Sequence, residues 1–196
     1  MREALADTEE LFMLVIVGEF NAGKSAFTNA LLGEALSPEG ITPTTDEVLI
    51  LKYGAQASER RRQEGVLEKA FPNDVLREVS VVDTPGTNAV IRHHEELSRA
   101  FVPRSDLVLF VTSAQRPFTE SERAYLEVIR DWGKKIVFVM NNSDVLGGVT
   151  TNITRQFVRE QATKLIGSEP PVFMVSAKLA QEAKQASESL TRRALV

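Results

Sequence analysis

One octapeptide constrains the fold of this chain more than any other feature. It reads GEFNAGKS, spans Gly18 to Ser25, follows the apolar run LFMLVIV and precedes the helical pattern KSAFTNALLG. Its spacing fits G-x-x-x-x-G-K-[ST] between a buried strand and a helix. Glycines let the main chain wrap around an anion, and a helix that begins near Lys24 adds the positive end of its dipole. The octapeptide therefore predicts a phosphate-binding loop at the carboxyl end of a strand.

The residues of this loop have separate expected roles. Lys24 would contact the β- and γ-phosphates of a nucleotide, and the Ser25 hydroxyl would bind Mg²⁺. Asn21 would either reach the region between these phosphates or support the turn, and both interpretations stay open. The residues expected around the phosphates are Gly18, Glu19, Phe20, Asn21, Ala22, Gly23, Lys24, Ser25 and Ala26.

The segment VVDTPG follows another apolar run and ends at Gly86. Asp83 would stand at the carboxyl end of that strand, where it can bind Mg²⁺ directly or through water. The Gly86 N–H would sense a γ-phosphate. An ordinary Asp-Thr-Pro-Gly turn is the alternative, and the phosphate loop upstream makes it the weaker one.

A threonine-rich segment, ITPTTDEV at 41–48, separates the first helix from the next strand. A nucleotide switch needs a threonine there that closes on Mg²⁺ and the γ-phosphate. Thr45 is preferred because it lies just before the strand, with Thr44 and Thr42 as alternatives. The expected catalytic residues are Lys24, Thr45, Gly86 and Asn21, and the expected metal ligands are Ser25, Thr45 and Asp83.

The stretch NNSD, which follows a fifth apolar run, bears on the identity of the base. Guanine presents two neighbouring N–H donors that one carboxylate, here Asp144, can accept together, whereas adenine presents an acceptor there. Asn141 could pin this loop to the phosphate loop, the Ala177 N–H could bond the guanine carbonyl, and the Lys178 stem could lie against the base. The residues expected at the base are Asn141, Asn142, Asp144, Ser176, Ala177 and Lys178.

Composition excludes several other classes of site. The chain has 196 residues, no cysteine and two histidines, which excludes disulfides and thiol nucleophiles and disfavours a histidine metal centre. Its net charge of -4 gives no reason to expect a nucleic-acid partner. No apolar run approaches the roughly 20 residues that cross a bilayer, and the polar N-terminus is no secretory signal. We therefore expect a soluble, cytoplasmic domain.

Alternating strand and helix patterns predict the fold class. The apolar runs lie at 11–17, 47–53, 78–83, 106–112, 135–141 and 171–177. Helical patterns between most of them predict an α/β fold of the P-loop nucleoside triphosphatase (NTPase) class, with a mostly parallel central sheet and helices on both faces. The runs 47–53 and 78–83 have no helix between them, so we expect one antiparallel edge pair. The linker between these two runs contains Arg60–Arg62 and is expected to be a solvated loop.

Helices outside the sheet are expected at both ends of the chain. Residues 1–10 are weakly amphipathic, and residues 179–196 are rich in Ala, Glu, Gln and Lys. The C-terminal helix has an apolar stripe from Leu179 to Leu190 that needs a partner, either the N-terminal helix or a continuation of a longer protein. The expected division is 1–10, 11–178 for the nucleotide-binding domain, and 179–196.

Taken in order, these motifs resemble those of the translation-factor-related GTPases. Within them the chain is similar to the dynamin-like proteins, in particular the bacterial and chloroplast fuzzy-onion-like branch. The matching stretches are GEFNAGKS, LSPEGITPTTDE, VVDTPGTN, RSDLVLFVTSAQRPFTESE and NNSD, over roughly residues 10–178. The resemblance implies GTP and GDP as ligands with Mg²⁺, and hydrolysis of GTP.

The resemblance also implies an assembly and a setting. Such a domain would form a homodimer across its nucleotide face and belong to a membrane-remodelling protein whose stalk and paddle, absent here, contact the membrane peripherally. The terminal helices would form part of the bundle that passes motion to that stalk. A monovalent cation, K⁺ or Na⁺, near Asn21 and the loop of Gly40 would supply transition-state charge, with Arg116 as the rival. A ribosome- or RNA-associated GTPase, a regulatory switch with little hydrolysis and, least favoured, a P-loop ATPase are the alternative functions.

One residue departs from the family pattern. The guanine loop of these proteins usually reads Asn-Lys-x-Asp, and here its second position is Asn142. The missing lysine stem would cost about 1–2 kcal/mol of contact with the base, or about tenfold in affinity. We therefore expect retained guanine selectivity with weak, micromolar binding.

Overall fold

The computed structural model describes residues 11–37, 47–63, 65–84 and 100–194, with side chains up to Ala186 apart from residue 63. The predicted helix 1–10 lies outside these ranges. So do the switch threonines Thr42, Thr44 and Thr45, and the glycines Gly40 and Gly86.

An eight-stranded sheet forms the centre of the described structure. Its strands are β1 (Phe12–Val17), β2 (Val48–Tyr53), β3 (Ser58–Gln63), β4 (Val66–Phe71), β5 (Val79–Asp83), β6 (Leu107–Ser113), β7 (Ile136–Asn141) and β8 (Val172–Met174), in the spatial order β3-β4-β2-β5-β1-β6-β7-β8. Strands β5, β1, β6, β7 and β8 are parallel to their neighbours in this series. Strand β2 pairs antiparallel with β5, with Ile50 opposite Val82, as the missing helix between these runs predicted.

The expectation of a solvated loop around Arg60–Arg62 is wrong. That linker forms a hairpin of β3 and β4, and β4 adds itself parallel to β2. Within β4, Glu68 occupies a buried position and forms ion pairs with Lys52 and Arg62. Because cationic partners compensate the buried carboxylate, this segment can form a strand although a charged residue interrupts its apolar alternation. The charged strand β3 then covers the edge of the sheet.

Four helices flank the sheet within the described ranges. They are α1 (Lys24–Leu32), α2 (Glu120–Asp131), α3 (Gly148–Ile166) and α4 (Ala177–Ala194). Helix α1 ends at Gly33 and α3 at Gly167, both in the left-handed conformation expected of a C-terminal glycine. Helix α2 begins with the predicted capping box of Thr119 and Glu122.

The core lies on both faces of the sheet. In β1, Val15 and Val17 pack with the α2 and α3 residues Leu126 and Val158, whereas Ile16 belongs to the opposite cluster. Successive side chains of a strand point to opposite faces, so a strand covered on both sides must be apolar throughout. The run LFMLVIV therefore places the following loop at the end of a rigid, buried strand.

Helix α4 packs against α1, the helix of the phosphate loop. Lys184 Nζ donates to the carbonyls of Ala30 at 2.5 Å and Leu31 at 3.2 Å, and Gln181 Nε2 donates to Ala26 O at 3.1 Å. The partner of the C-terminal helix is thus at least in part α1, held by polar contacts. Leu179 remains 51% exposed. None of the described helices has the length and apolarity required to span a bilayer.

Candidate functional site

The loop Gly18–Ser25 connects β1 to α1, and its two glycines are required by close approaches. A Cβ at Gly18 would lie 2.0 Å from the carbonyl oxygen of Val111, and one at Gly23 would lie 2.2 Å from Asn141 Nδ2. Gly23 also has a φ of 85°. The backbone of this loop therefore presses against β6 and β7 at places where no side chain fits.

Lys24 lies within this loop and is almost entirely buried, with 7% of its surface exposed. Its Nζ donates to the carbonyl oxygens of Gly18 at 3.1 Å and Glu19 at 3.0 Å. Burial lowers the pKa of Lys24 to about 8, although the nearby carboxylates of Asp83 and Glu19 act in the opposite direction. The lysine is thus poised inside the loop, bound to neutral carbonyls that an anionic ligand can replace.

Asp83 ends strand β5 beside Lys24 and is fully buried. Its Oδ2 accepts a hydrogen bond from Ser37 Oγ at 2.6 Å, whereas Oδ1 has no hydrogen-bond partner among the described residues. Burial raises the pKa of Asp83, and Lys24 and the hydroxyls of Ser37, Ser25 and Thr28 oppose that shift. An unpartnered carboxylate oxygen close to the Ser25 hydroxyl is the oxygen donor set that Mg²⁺ prefers. The residues present therefore fit the predicted magnesium site.

The sequence patterns did not indicate two further residues beside this site, Asn29 and Ser37. Asn29 on α1 accepts from the backbone N–H groups of Leu36 at 2.9 Å and Ser37 at 2.7 Å, and donates to Ser37 O at 2.8 Å. This buried clamp fixes the chain just before residues 38–46 and places Ser37 on Asp83. Asparagine in an amphipathic helix looks like an ordinary polar position, so only the tertiary contact identifies it.

Asn141, at the end of β7, joins the two halves of the predicted nucleotide site. Its Nδ2 donates to Ala22 O in the phosphate loop at 3.3 Å, and its Oδ1 accepts from Ala177 N at 3.0 Å. The expectation that Asn141 pins its loop to the phosphate loop is confirmed. The Ala177 N–H, expected at a guanine carbonyl, is engaged by Asn141 in this structure.

Asn142 and Asp144 lie just beyond Asn141, the last residue of β7. Asn142 has φ 60° and ψ 33°, the left-handed conformation that asparagine tolerates better than most side chains. Its backbone leads into the short 3₁₀ turn Ser143–Val145, on which Asp144 is exposed. Lys178 is also exposed, at the start of α4. Asparagine at position 142 is therefore compatible with the left-handed backbone of this turn.

Other residues named from the sequence border one cavity. Arg116 and Asn21 are exposed and border a cavity of about 460 Å³ between the phosphate loop and the β6–α2 segment. Glu19 borders the same cavity, and its side chain is bonded to Thr119 of helix α2, a contact that the sequence did not indicate.

The sequence of this chain matches those of known GTPases. Residues 13–142 match the profile of the family described as 50S ribosome-binding GTPases. The chain is 41% identical over 198 residues to the probable transmembrane FZO-like GTPase of chloroplasts from Arabidopsis thaliana, across 97% of this chain and 22% of that protein. It is 28% identical over 174 residues to a bacterial dynamin-like protein from Nostoc punctiforme, across 68% of this chain and 25% of that protein.

Among solved structures, an oligomerised bacterial dynamin pair that senses and tethers membranes shares the fold. Its TM-score is 0.76 at 18% identity, over 93% of this chain and 36% of that one. This chain spans about a quarter of the length of the two curated relatives named above. From the family match, the relatives and the fold, the chain belongs to the 50S ribosome-binding GTPase family and contains a GTPase domain of the dynamin-like kind.

Proposed function

We propose that this domain binds Mg²⁺-GTP in the site formed by Lys24, Asp83 and Asn141 and hydrolyses it to GDP and phosphate. The observation that supports this best is the burial of Lys24 and Asp83 near each other, at or just beyond the carboxyl ends of the adjacent strands β1 and β5. An ammonium and a partly unpartnered carboxylate, both removed from water, match a phosphate and its metal ion.

The residues act in a defined order in this proposal. Lys24 leaves the Gly18 and Glu19 carbonyls and moves its charge to the phosphates. Ser25, Asp83 and a threonine of residues 42–45, with Thr45 preferred, would hold Mg²⁺, which would supply positive charge beside the phosphates. Thr45 and the Gly86 region orient the attacking water for in-line displacement.

The base is bound by the loops that Asn141 connects. Asp144 accepts both guanine donors, which gives selectivity over adenine. The Ala177 N–H would have to turn from Asn141 towards the guanine carbonyl, or share its hydrogen between the two acceptors. Asn142 supplies little contact area over the base, so binding is weak and exchange is fast.

The full-length protein is proposed to remodel membranes by fusion or fission, since its relatives are named as FZO-like and dynamin-like GTPases. The domain would dimerise across its nucleotide face, with K⁺ or Na⁺ near Asn21 supplying charge. Membrane contact would be peripheral and come from regions outside this chain. The division into 1–10, 11–178 and 179–196 belongs to this proposal, although helix α4 already begins at Ala177.

Phosphate release and calorimetry test the site. Lys24→Ala should abolish turnover, because it removes the positive charge from the phosphates. Wild-type protein should bind GDP with a Kd in the micromolar range and bind ATP at least about 100-fold more weakly, since two donors are replaced by a mismatched edge. Nanomolar GDP binding, or equal binding of ATP, would contradict the account of Asp144 and Asn142.

A further inference from the structure

The Glu19 side chain reaches helix α2. Thr119 Oγ1 donates to Glu19 Oε1 at 2.7 Å, joining residues 100 positions apart in the chain. Helix α2 and the phosphate loop have no other side-chain hydrogen bond among the described residues. This single contact therefore links the second residue of the phosphate loop to the first turn of a helix on the sheet.

The Thr119 hydroxyl is oriented before it meets Glu19. Its oxygen accepts the backbone N–H of Glu122 at 3.2 Å, and Glu122 Oε2 accepts the backbone N–H of Thr119 at 3.1 Å. A hydroxyl has one proton to donate. Because the capping box uses the oxygen as an acceptor, the proton is free for Glu19.

The position of Thr119 is fixed independently of the phosphate loop. The preceding residue, Phe118, has φ 62°, a conformation that bulky side chains rarely adopt. Its buried ring stacks on Phe138 with centroids 5.8 Å apart and planes 17° from parallel. The hydrophobic core thus holds the β6–α2 segment and gives Thr119 a rigid base.

The Glu19 backbone also provides one of the two carbonyl groups bonded to Lys24. The Glu19 carbonyl accepts from Lys24 Nζ at 3.0 Å and from Ala22 N at 3.3 Å. When Lys24 turns to a phosphate, the first of these bonds is lost. The bond from Thr119 does not involve Lys24, so it persists and continues to hold the loop.

We propose that Glu19 and Thr119 are positioning residues for Lys24. Their hydrogen bond ties the first turn of the phosphate loop to α2 and keeps the loop in its binding conformation after Lys24 has moved. The inference rests on the proposed GTP binding. A carboxylate acceptor makes this bond stronger than one between neutral groups.

The kinetic signature follows from when the bond acts. A loop that is held equally in the ground state and in the transition state contributes uniform binding. Glu19→Ala should therefore raise KM, and the Kd of a fluorescent GTP analogue, about tenfold with kcat unchanged within about twofold. Glu19→Gln keeps the acceptor oxygen and Thr119→Ser keeps the donor, so both should remain within about threefold of wild type.

Reversing the polarity of the bond separates it from helix capping. Thr119→Asp retains an efficient N-cap but places a carboxylate against Glu19, so KM should rise while the melting temperature changes little. Combining it with Glu19→Gln should restore KM, because the glutamine amide donates to the aspartate. Failure of this rescue would reject the hydrogen bond as the cause.

Two controls make the outcomes distinct. Glu120→Gln changes an exposed carboxylate on the same cavity and should leave KM unchanged. Lys24→Ala tests the proposed function itself. If Lys24→Ala abolishes turnover while Glu19→Ala keeps the wild-type KM, the positioning role is overturned and GTP hydrolysis stands. If Lys24→Ala binds and hydrolyses GTP normally, the proposed function fails first.

Discussion

At the scale of residues, the candidate site depends on ionisable side chains removed from water. Lys24 and Asp83 are both buried, and each carries a charge that favours the charged form of the other. Burial nevertheless lowers the pKa of Lys24 and raises the pKa of Asp83, so the uncharged form of each group is favoured. Desolvation is the larger cause in both cases. Such groups are held in place before the ligand arrives, and the desolvation needed for a strong electrostatic contact has already occurred on folding.

Glu122 provides a test of the same physics away from the metal ligands. It is 1% exposed, and burial raises the pKa of its carboxyl above the usual 4.5, with Glu19 adding to the shift. The unfolded chain then releases this proton at lower pH than the folded chain does. The contribution of Glu122 to stability is therefore greatest below pH 4.5 and falls as the pH rises through the folded-state pKa.

Glu122→Gln should remove this dependence and keep the capping box, since glutamine also accepts at that position. Relative to wild type, the variant should gain stability progressively as the pH rises from 4.5 through the raised folded-state pKa of Glu122. Urea unfolding of both proteins across this range measures the difference, with Glu120→Gln as the exposed control. A stability difference that does not change with pH would contradict the raised pKa.

At the scale of elements, α4 is bound to α1 through the end of that helix. The last carbonyls of a helix lack intrahelical partners and carry partial negative charge. Lys184 supplies an ammonium to two of them, Ala30 and Leu31. A helix outside the sheet is thus connected to the helix that begins at Lys24.

Lys184→Met should detach this contact without removing the aliphatic stem. Loss of a charged cap costs about 1 kcal/mol, equivalent to a melting temperature lower by about 2–4 °C in a domain of this size. Calorimetric scans of the variant and of Glu182→Gln, an exposed position on the same helix, check this. Because the two substitutions remove charges of opposite sign, opposite changes of similar size would show that the effect is one of surface charge.

Sequence patterns predicted the features whose causes are local. The glycines of the phosphate loop, the capping box of α2 and the polar residues after β7 are each encoded within a few positions. The Thr119–Glu19 bond joins residues 100 positions apart, and the Asn29–Ser37 clamp depends on how the chain turns back after α1, so no periodic pattern indicates either contact. The β3–β4 hairpin was missed because Glu68 occupies a core-facing position that alternation reserves for an apolar residue.

At the scale of the whole molecule, the candidate site lies at the carboxyl ends of the parallel strands of the sheet. The phosphate loop follows β1, Asp83 is the last residue of β5 and Asn141 is the last residue of β7. The carboxyl ends of these three strands point the same way. The chain moves from β1 to neighbours on either side, and such a reversal of strand order is where α/β sheets bind ligands. The proposed dimer would bring a second copy of the domain to this side of the sheet.

Dimerisation across that face predicts a turnover that depends on concentration. The rate per molecule should rise severalfold with protein concentration, and should be higher in K⁺ than in Li⁺, if a cation near Asn21 is completed by the partner. Light scattering with GDP and with a transition-state analogue, alongside phosphate release, measures both. A rate that is flat in concentration and in cation would reject the dimer-stimulated mechanism.

The close approach of Gly23 to Asn141 has a consequence for how such sequences can vary. The two positions lie 118 places apart in the chain and share a space that admits either a Cβ at one or an amide at the other. Gly23 cannot gain a side chain while Asn141 keeps its amide in that space. In sequences that share this fold, we therefore expect the residues at positions 23 and 141 to change together, so that the two loops of the candidate site vary as a pair.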